Sequence, residues 1–259
     1  MCETCGCGDP EIVPVDVHET ILAGNERRAA HNREHFAERG VVAVNLMGSP
    51  GAGKTAVLEA TARHLPRRQQ LVPESEETRG PRLGALAGDL ATERDADRLR
   101  AAGIIATSIT TGSACHLDAD MVHRALHHFP WRELQYLFIE NVGNLVCPAV
   151  YDLGQTANVV ALSVTEGEDK PLKYPVMFRK ADLVLVTKID LLPHLPGVRL
   201  DTIADALSRV MPHPLYIPVS AHTGEGIDRW IDWLERLFPS AYCVRAAITQ
   251  SPQPPRFRL

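Results

Sequence analysis

Val41-Val42-Ala43-Val44-Asn45-Leu46-Met47-Gly48-Ser49-Pro50-Gly51-Ala52-Gly53-Lys54-Thr55 decides the fold. An apolar run ends on a complete G-x-x-x-x-G-K-T loop, and a helix-compatible stretch over 53–65 follows it. Strand, glycine-rich turn and helix in that order are the context in which such a loop holds phosphate. Glycines let backbone N–H groups close around a β-phosphate, and the helix N-terminus adds the favourable end of its dipole. Lys54 is then placed to bridge β- and γ-phosphate oxygens, and the Thr55 hydroxyl to ligate Mg²⁺. Gly48, Ser49, Pro50, Gly51, Ala52 and Gly53 are the candidate backbone contacts.

Outward from this loop, apolar runs recur at 82–87, 104–109, 136–139, 159–164, 183–186 and 215–219, separated by helical stretches near 92–102, 119–128, 201–210 and 226–237. Runs apolar throughout, without alternation, suit parallel strands covered on both faces. The repeated βαβ pattern predicts an α/β P-loop NTPase domain over 41–240, a doubly wound, mostly parallel sheet with helices on both faces. Residues 1–10 form a Cys- and Gly-rich tip, 11–40 a helical segment ending at Gly40, and 241–259 an irregular, proline-bearing tail. The polar stretch 67–81, with Pro73, is expected as a surface excursion.

The 259 residues are 45% hydrophobic and 23% charged, the balance of an ordinary globular protein. A net charge of -5 argues against nucleic acid as a partner. No apolar run approaches the roughly 18 residues of a membrane span. The start, Met1-Cys2-Glu3-Thr4, has neither the basic nor the apolar part of a signal peptide, so a cytoplasmic protein is expected. There the six cysteines stay reduced, and spaced groups of them read first as metal ligands.

The base is set by the later motifs. Thr187-Lys188-Ile189-Asp190 follows the run 183–186 and resembles the N-K-x-D guanine signature of GTPases. In that signature the acid accepts from the guanine ring N–H and amino group; against adenine it would be left unpaired, at a cost of roughly 1–3 kcal/mol. Thr187 stands where asparagine is usual, which predicts the loss of one loop-tying amide. Ser220-Ala221-His222-Thr223-Gly224 resembles the S-A-x loop that offers backbone N–H to the guanine oxygen. GTP is therefore the expected nucleotide. Glu140, closing the run 136–139, is the expected acid on the Mg²⁺ side, and Asp89 the switch carboxylate near metal or attacking water.

Two groups carry transition-metal chemistry. Cys2, Cys5 and Cys7 sit within six residues with glycines between, so the backbone can wrap one ion. Cys115-His116 lies in a loop at a helix start, where adjacent side chains can converge, with Cys147 as a third ligand. Cys243, His18, His31, His35 and the histidines of 123–128 read as scattered residues without such a role.

Taken together these residues resemble the hydrogenase nickel-incorporation GTPase family, HypB. The likeness runs from Cys2 to about Gly226 and rests on long strings: Cys2–Gly8, Gly48–Thr55, Thr111–Asp118, Glu140–Pro148 and Glu166–Pro175. The resemblance implies a GTPase with slow intrinsic turnover that binds GTP/GDP and Mg²⁺ and dimerises with GTP bound. It also implies a nickel site at Cys2, Cys5 and Cys7, and a weaker nickel or zinc site of Cys115, His116 and Cys147 at the dimer interface. Implied partners are a nickel accessory protein of the HypA type and, through it, a hydrogenase large-subunit precursor. Lys170, in a family-like string, is a candidate to act across the dimer. The chain has no His-rich stretch, so bulk nickel storage is not expected, and Ala87 stands where the family usually has Glu. A nickel- or zinc-buffering protein, an ATP-using P-loop kinase and a urease-type accessory GTPase are the rival readings.

Overall fold

The computed structural model describes residues 15–69, 82–89, 93–112 and 114–238. Cys2, Cys5, Cys7, Cys243, the expected tip and tail, and residues 70–81 of the expected excursion lie outside the described residues.

Seven strands form one parallel sheet: β1 (Val42–Gly48), β2 (Leu83–Asp89), β3 (Ile105–Thr110), β4 (Tyr136–Glu140), β5 (Ala157–Ser163), β6 (Leu183–Thr187) and β7 (Tyr216–Val219). Their order is β3-β2-β4-β1-β5-β6-β7. Every pairing is parallel. β1, β4 and β6 are buried at every position, as uninterrupted apolar runs covered on both faces should be, while the edge strands β3 and β7 are partly open.

The helices divide between the faces. α2 (Lys54–Gln69), α3 (Arg94–Ala101) and α8 (Ile227–Arg236) cover one side, packing Leu58, Leu99 and Trp230 onto Val44, Phe138 and Leu185. The buried Trp230 ring N–H finds the Thr61 hydroxyl at 2.9 Å, which satisfies the only polar atom this large side chain brings inside. On the other side α1 (Val15–Arg39) and α4 (Ala119–Leu126) bury Phe36, Val122 and Leu126 against Leu86, Leu137 and Ile139. Beside them α6 (Pro175–Lys180) and α7 (Leu200–Val210) bury Phe178, Ile203 and Leu207 against Val160 and Val184. A four-residue helix α5 (Lys170–Lys173) precedes α6.

Two features depart from expectation. α2 continues through Gln69, into the stretch assigned to the excursion; Arg and Gln are good helix formers, and polarity alone does not end a helix. Helices α5 and α6 carried no legible periodicity, being four and six residues long with proline in their first turns.

The consequence for function lies in topology. β1 has β4 on one side and β5 on the other, so the chain reverses direction across the sheet at the carboxyl end of β1. In open α/β sheets ligands bind in the crevice at that point. The loops after β1, β2, β4, β6 and β7 all open there.

Candidate functional site

The turn after β1 bends through Gly48, Gly51 and Gly53 at positive φ, 146°, 73° and 94°. At Gly48 no side chain is possible, since a Cβ would stand 2.5 Å from the Ala161 carbonyl oxygen of β5. α2 starts at Lys54, so its N-terminal dipole faces the turn. The buried Lys54 ammonium donates to the carbonyls of Gly48 (3.3 Å) and Ser49 (3.2 Å). Burial lowers its pKa, while the carboxylates of Glu140, Asp95 and Glu166 pull the other way.

Next to it the Thr55 hydroxyl donates to Glu140 Oε1 at 2.7 Å, with Asp95 Oδ1 at 3.3 Å. Burial pushes the Glu140 carboxyl up to about 7, against the pull of the Thr55 hydrogen bond and the Lys54 charge. Its second oxygen, Oε2, is buried and has no hydrogen-bond partner. A threonine hydroxyl beside a carboxylate with an unsatisfied oxygen is an oxygen donor set that suits a hard cation such as Mg²⁺. The cleft around these groups holds about 440 Å³, and Pro50, Asp89, Asp95, Arg98, Asn141 and Gly143 line it as well. Asp89 thus stands at the end of β2 and in the cleft, where the sequence put it. Asp95, in the first turn of α3, was not foreseen; an acid there reads equally well as a partner for the helix dipole.

The β6–β7 end is tied together by the chain's own bonds. The Thr187 hydroxyl donates to the Ala52 carbonyl of the phosphate loop at 2.6 Å. The loop-tying amide is absent, as threonine requires, and the Thr187 hydroxyl makes the connection in its place. Lys188, left-handed at φ 60°, sends its ammonium to the Gly51 carbonyl at 2.7 Å. Asp190 accepts from the Ser220 hydroxyl at 2.6 Å, and the same hydroxyl accepts from the Thr223 N–H at 3.1 Å. Ala221 follows in this turn, and its carbonyl accepts from Arg63 at 3.1 Å. The two guanine-type motifs, 30 residues apart, are one unit.

Cys115, His116 and Cys147 also meet. Their donor atoms lie within 4.8 Å of one another, with the two sulfurs 3.1 Å apart and Cys115 Sγ 3.8 Å from His116 Nδ1. Burial lowers the His116 pKa, and the ring stacks on Tyr151 with centroids 3.9 Å apart, so the imidazole is held neutral with a lone pair to give. The adjacent Cys115 thiol, then burial, push the Cys147 thiol up. Two sulfurs and an imidazole nitrogen suit a borderline transition ion, which by its charge would draw off the thiol protons.

The loop 141–147 joins this cluster to the phosphate turn. The buried Asn141 Oδ1 accepts from the Leu117 N–H at 3.1 Å, one residue beyond His116, while its amide nitrogen donates to Asn45 in β1 at 3.2 Å. Asn144 donates to the Cys115 carbonyl at 3.2 Å and forms a backbone bridge to Gly48. Gly143 packs so closely on Pro50 that a Cβ would lie 2.8 Å from its ring. Asn141, Gly143 and Asn144 stand inside a string that the sequence marked as family-like, but their bracing role had no signature of its own. Lys170 sits 3.6 Å from Glu166 Oε2 in its own chain.

Residues 42–213 match the family model of the CobW/HypB/UreG nucleotide-binding domain. The chain is 49% identical over 220 residues to the hydrogenase maturation factor HypB of Azotobacter vinelandii, which covers 85% of this chain and 68% of that protein. It is 45% identical over 221 residues to that of Escherichia coli K12, covering 85% and 72%. Among solved structures, HypB from Helicobacter pylori in complex with nickel superposes with a TM-score of 0.73 at 36% identity, over 82% of this chain and 94% of that one. HypB from Archaeoglobus fulgidus gives 0.73 at 38% identity, over 83% and 99%. Fold, site and likeness agree, and the chain belongs to the CobW/HypB/UreG family, on its HypB hydrogenase maturation branch.

Proposed function

We propose that this protein is a GTP-hydrolysing nickel metallochaperone whose nucleotide cycle governs release of nickel during [NiFe]-hydrogenase maturation. One observation carries the reading: the loop that starts at Glu140 in the phosphate cleft and ends at Cys147 in the sulfur cluster also braces the backbone on both sides of His116. A change at the γ-phosphate that moves this loop changes the ligand geometry.

In this reading the phosphate turn and Lys54 hold the β- and γ-phosphates, and Asp190, Lys188 and the Ser220-Ala221 turn read guanine. Thr55 and Glu140, with Asp89 and Asp95 nearby, hold Mg²⁺, which supplies neutralisation of the phosphate oxygens when bound. The chain's own contribution is positioning: Lys54 meets developing charge, and the orphaned Glu140 oxygen keeps its place beside Thr55. Arg98 lines the cleft, but its guanidinium is engaged by both Glu59 oxygens at 3.0 and 3.1 Å, which supports slow intrinsic turnover.

Cys115, His116 and Cys147 take nickel as cargo, or zinc, and Cys2, Cys5 and Cys7 form the N-terminal nickel site. Val146 and Val150, 55% and 48% exposed, flank Cys147, an apolar rim that favours closure of this face by a second copy in a GTP-promoted homodimer. A HypA-type accessory protein and the hydrogenase large-subunit precursor are the downstream partners. No described helix is long and apolar enough to cross a membrane, which suits a cytoplasmic role.

The test is Ni²⁺ titration of the full chain in its GDP and GTP states, beside Cys115→Ala. One class of sites should differ in affinity between the nucleotide states by roughly 5- to 150-fold, the usual range of allosteric coupling, and the difference should vanish in Cys115→Ala. Identical titrations in the two states would leave only a GTPase with incidental thiols.

A further inference from the structure

Beside the cluster of Cys115, His116 and Cys147 stands a wall that neither the nucleotide cleft nor the 141–147 loop supplies. Tyr151 follows the turn that carries Cys147, and its ring stacks on the His116 imidazole with centroids 3.9 Å apart and planes tilted by 20°. A nitrogen lone pair lies in the plane of its ring, so an imidazole can hold an ion only where that plane points. The side chain's own torsion does not choose the plane, because χ2 of histidine is broad and roughly two-fold. The stack does choose it. With the ring so held, Nδ1 stands 3.8 Å from Cys115 Sγ, and the donor atoms of all three residues fall within 4.8 Å of one another.

The wall is fastened to α1, and so is the chain behind His116. Asn25 donates its amide N–H to the Asp152 carbonyl at 2.8 Å, while its Oδ1 accepts from the Ala119 N–H at 2.9 Å. The fully buried Asn32, about two turns further along the same helix, repeats the arrangement. Its amide nitrogen donates to the carbonyls of Leu153 at 3.1 Å and Ala119 at 2.9 Å. Two asparagines of one helix thus tie the residues just after Tyr151 to those just after His116. Leu117 and Leu153 are both fully buried, in one cluster with Phe36 of α1. Arg33 pairs with the Asp152 carboxylate, and Gly154, at φ 87°, passes so close to α1 that a Cβ would stand 2.5 Å from the Ala29 carbonyl oxygen. Beyond it the Thr156 N–H donates to the Ala43 carbonyl at 2.7 Å, and the Thr156 hydroxyl accepts from the Ala43 N–H at 3.2 Å. Ala43 lies at the amino end of β1, the end away from the phosphate turn.

We infer that Tyr151 is the positioning residue of the metal site: its ring, hung on α1 through residues 152–154, sets the His116 imidazole plane so that Nδ1 faces the two sulfurs. The inference rests on the reading of Cys115, His116 and Cys147 as a nickel or zinc site, and it adds a division of labour. Cys147 rides on the loop that starts at Glu140 in the phosphate cleft. The wall under His116 hangs on α1 and the amino end of β1, so its loss weakens the ion by the same factor with GDP or GTP bound.

The experiment is Ni²⁺ titration, in the GDP and GTP states, of the full chain carrying Cys2→Ser, Cys5→Ser and Cys7→Ser, so that only the site on the folded domain is read. In this background Tyr151→Leu should weaken nickel by roughly tenfold or more, the usual effect of losing a group that orients a liganding histidine. Tyr151→Phe keeps the stacking ring and should recover the affinity. The ratio of affinities between the two nucleotide states should be the same with leucine as with tyrosine. A second pair separates positioning from general packing: His116→Ala and His116→Ala with Tyr151→Leu should bind nickel equally, since a wall with no imidazole to hold cannot act on the ion. Leucine and phenylalanine variants of equal affinity, a ratio that collapses with leucine, or a further loss on top of His116→Ala would each overturn the inference. A background that binds no nickel sinks the site and the inference together. Equal affinity in the two nucleotide states of the background fails the proposed cycle alone, and the leucine, phenylalanine and His116→Ala arms still decide the role of Tyr151.

Discussion

At the β6–β7 end of the cleft, Thr187 and Lys188 are bonded to the phosphate turn and Asp190 to Ser220, by side-chain contacts of 2.6 to 2.7 Å. Beside the cleft, Cys115 is exposed, His116 and Cys147 are half-buried, and the backbone around them hangs on two asparagines. The base end is finished before a nucleotide arrives; the sulfur end is held only through a loop whose first residue belongs to the phosphate cleft. Pre-organisation on one side gives affinity and selectivity without ordering cost, whereas sparse bracing on the other leaves a low-energy path for change. A molecule meant to move a metal with a phosphate should be stiff at the base and soft at the sulfur.

The pivot between the two ends is Glu140, where the largest effect is expected. Its carboxyl lies at about 7 in the folded chain against an ordinary value of 4.5. Raised in this way, it binds its proton more tightly folded than unfolded, so stability of the nucleotide- and cation-free protein falls as pH rises from 4.5 to about 7 and is flat above. Glu140→Gln removes that slope and should gain about 3 kcal/mol over wild type at pH 8, while GTP turnover collapses. Urea unfolding at pH 5 and pH 8 measures it; equal slopes in the two proteins would mean that the buried acid is not strained without its ligands.

Much of this was legible beforehand because it is written in local patterns. The apolar run at Val42–Gly48 and its loop placed β1 and α2, and uninterrupted runs located all seven strands to within about two residues. Cys115, His116 and Cys147 are joined in the sequence by ligand chemistry, by their places past strand ends and by the family-like strings that contain them. What stayed hidden depends on long-range placement. Asp95 enters the cleft because α3 packs beside α2; Asn141 reaches β1 and residue 117 at once; the rings of His31, His35, His123 and His127 meet only because α1 lies across α4. None of these has a spacing that sets it apart from an ordinary polar residue on a helix or loop.

Gly143 tests whether the sulfur end is as soft as its bracing suggests. Its missing Cβ would stand 2.8 Å from the Pro50 ring and 2.9 Å from the Pro50 nitrogen, which is backbone and cannot swing away. Gly143→Ala must push the loop off the phosphate turn at a cost of about 1–3 kcal/mol. GTP affinity and the metal affinity of the Cys115 cluster should both drop, each by roughly tenfold, in paired titrations. A loss confined to one ligand would show that the two sites do not share this contact.

The smallest effect should come from the base end, where redundancy protects the geometry. Thr187→Val keeps the shape and deletes the hydroxyl that reaches Ala52. The Ala52 carbonyl then lacks that donor, but Lys188 still ties the same turn through Gly51. The cost is that of one hydrogen bond, about 1 kcal/mol, or near fivefold in GTP affinity. Nickel affinity of the Cys115 cluster in the GDP state should stay as in wild type, because no bond from Thr187 passes toward the 141–147 loop. If the valine variant instead loosened the metal, coupling would run through the whole phosphate turn, and the division into a stiff end and a soft one would have to be given up.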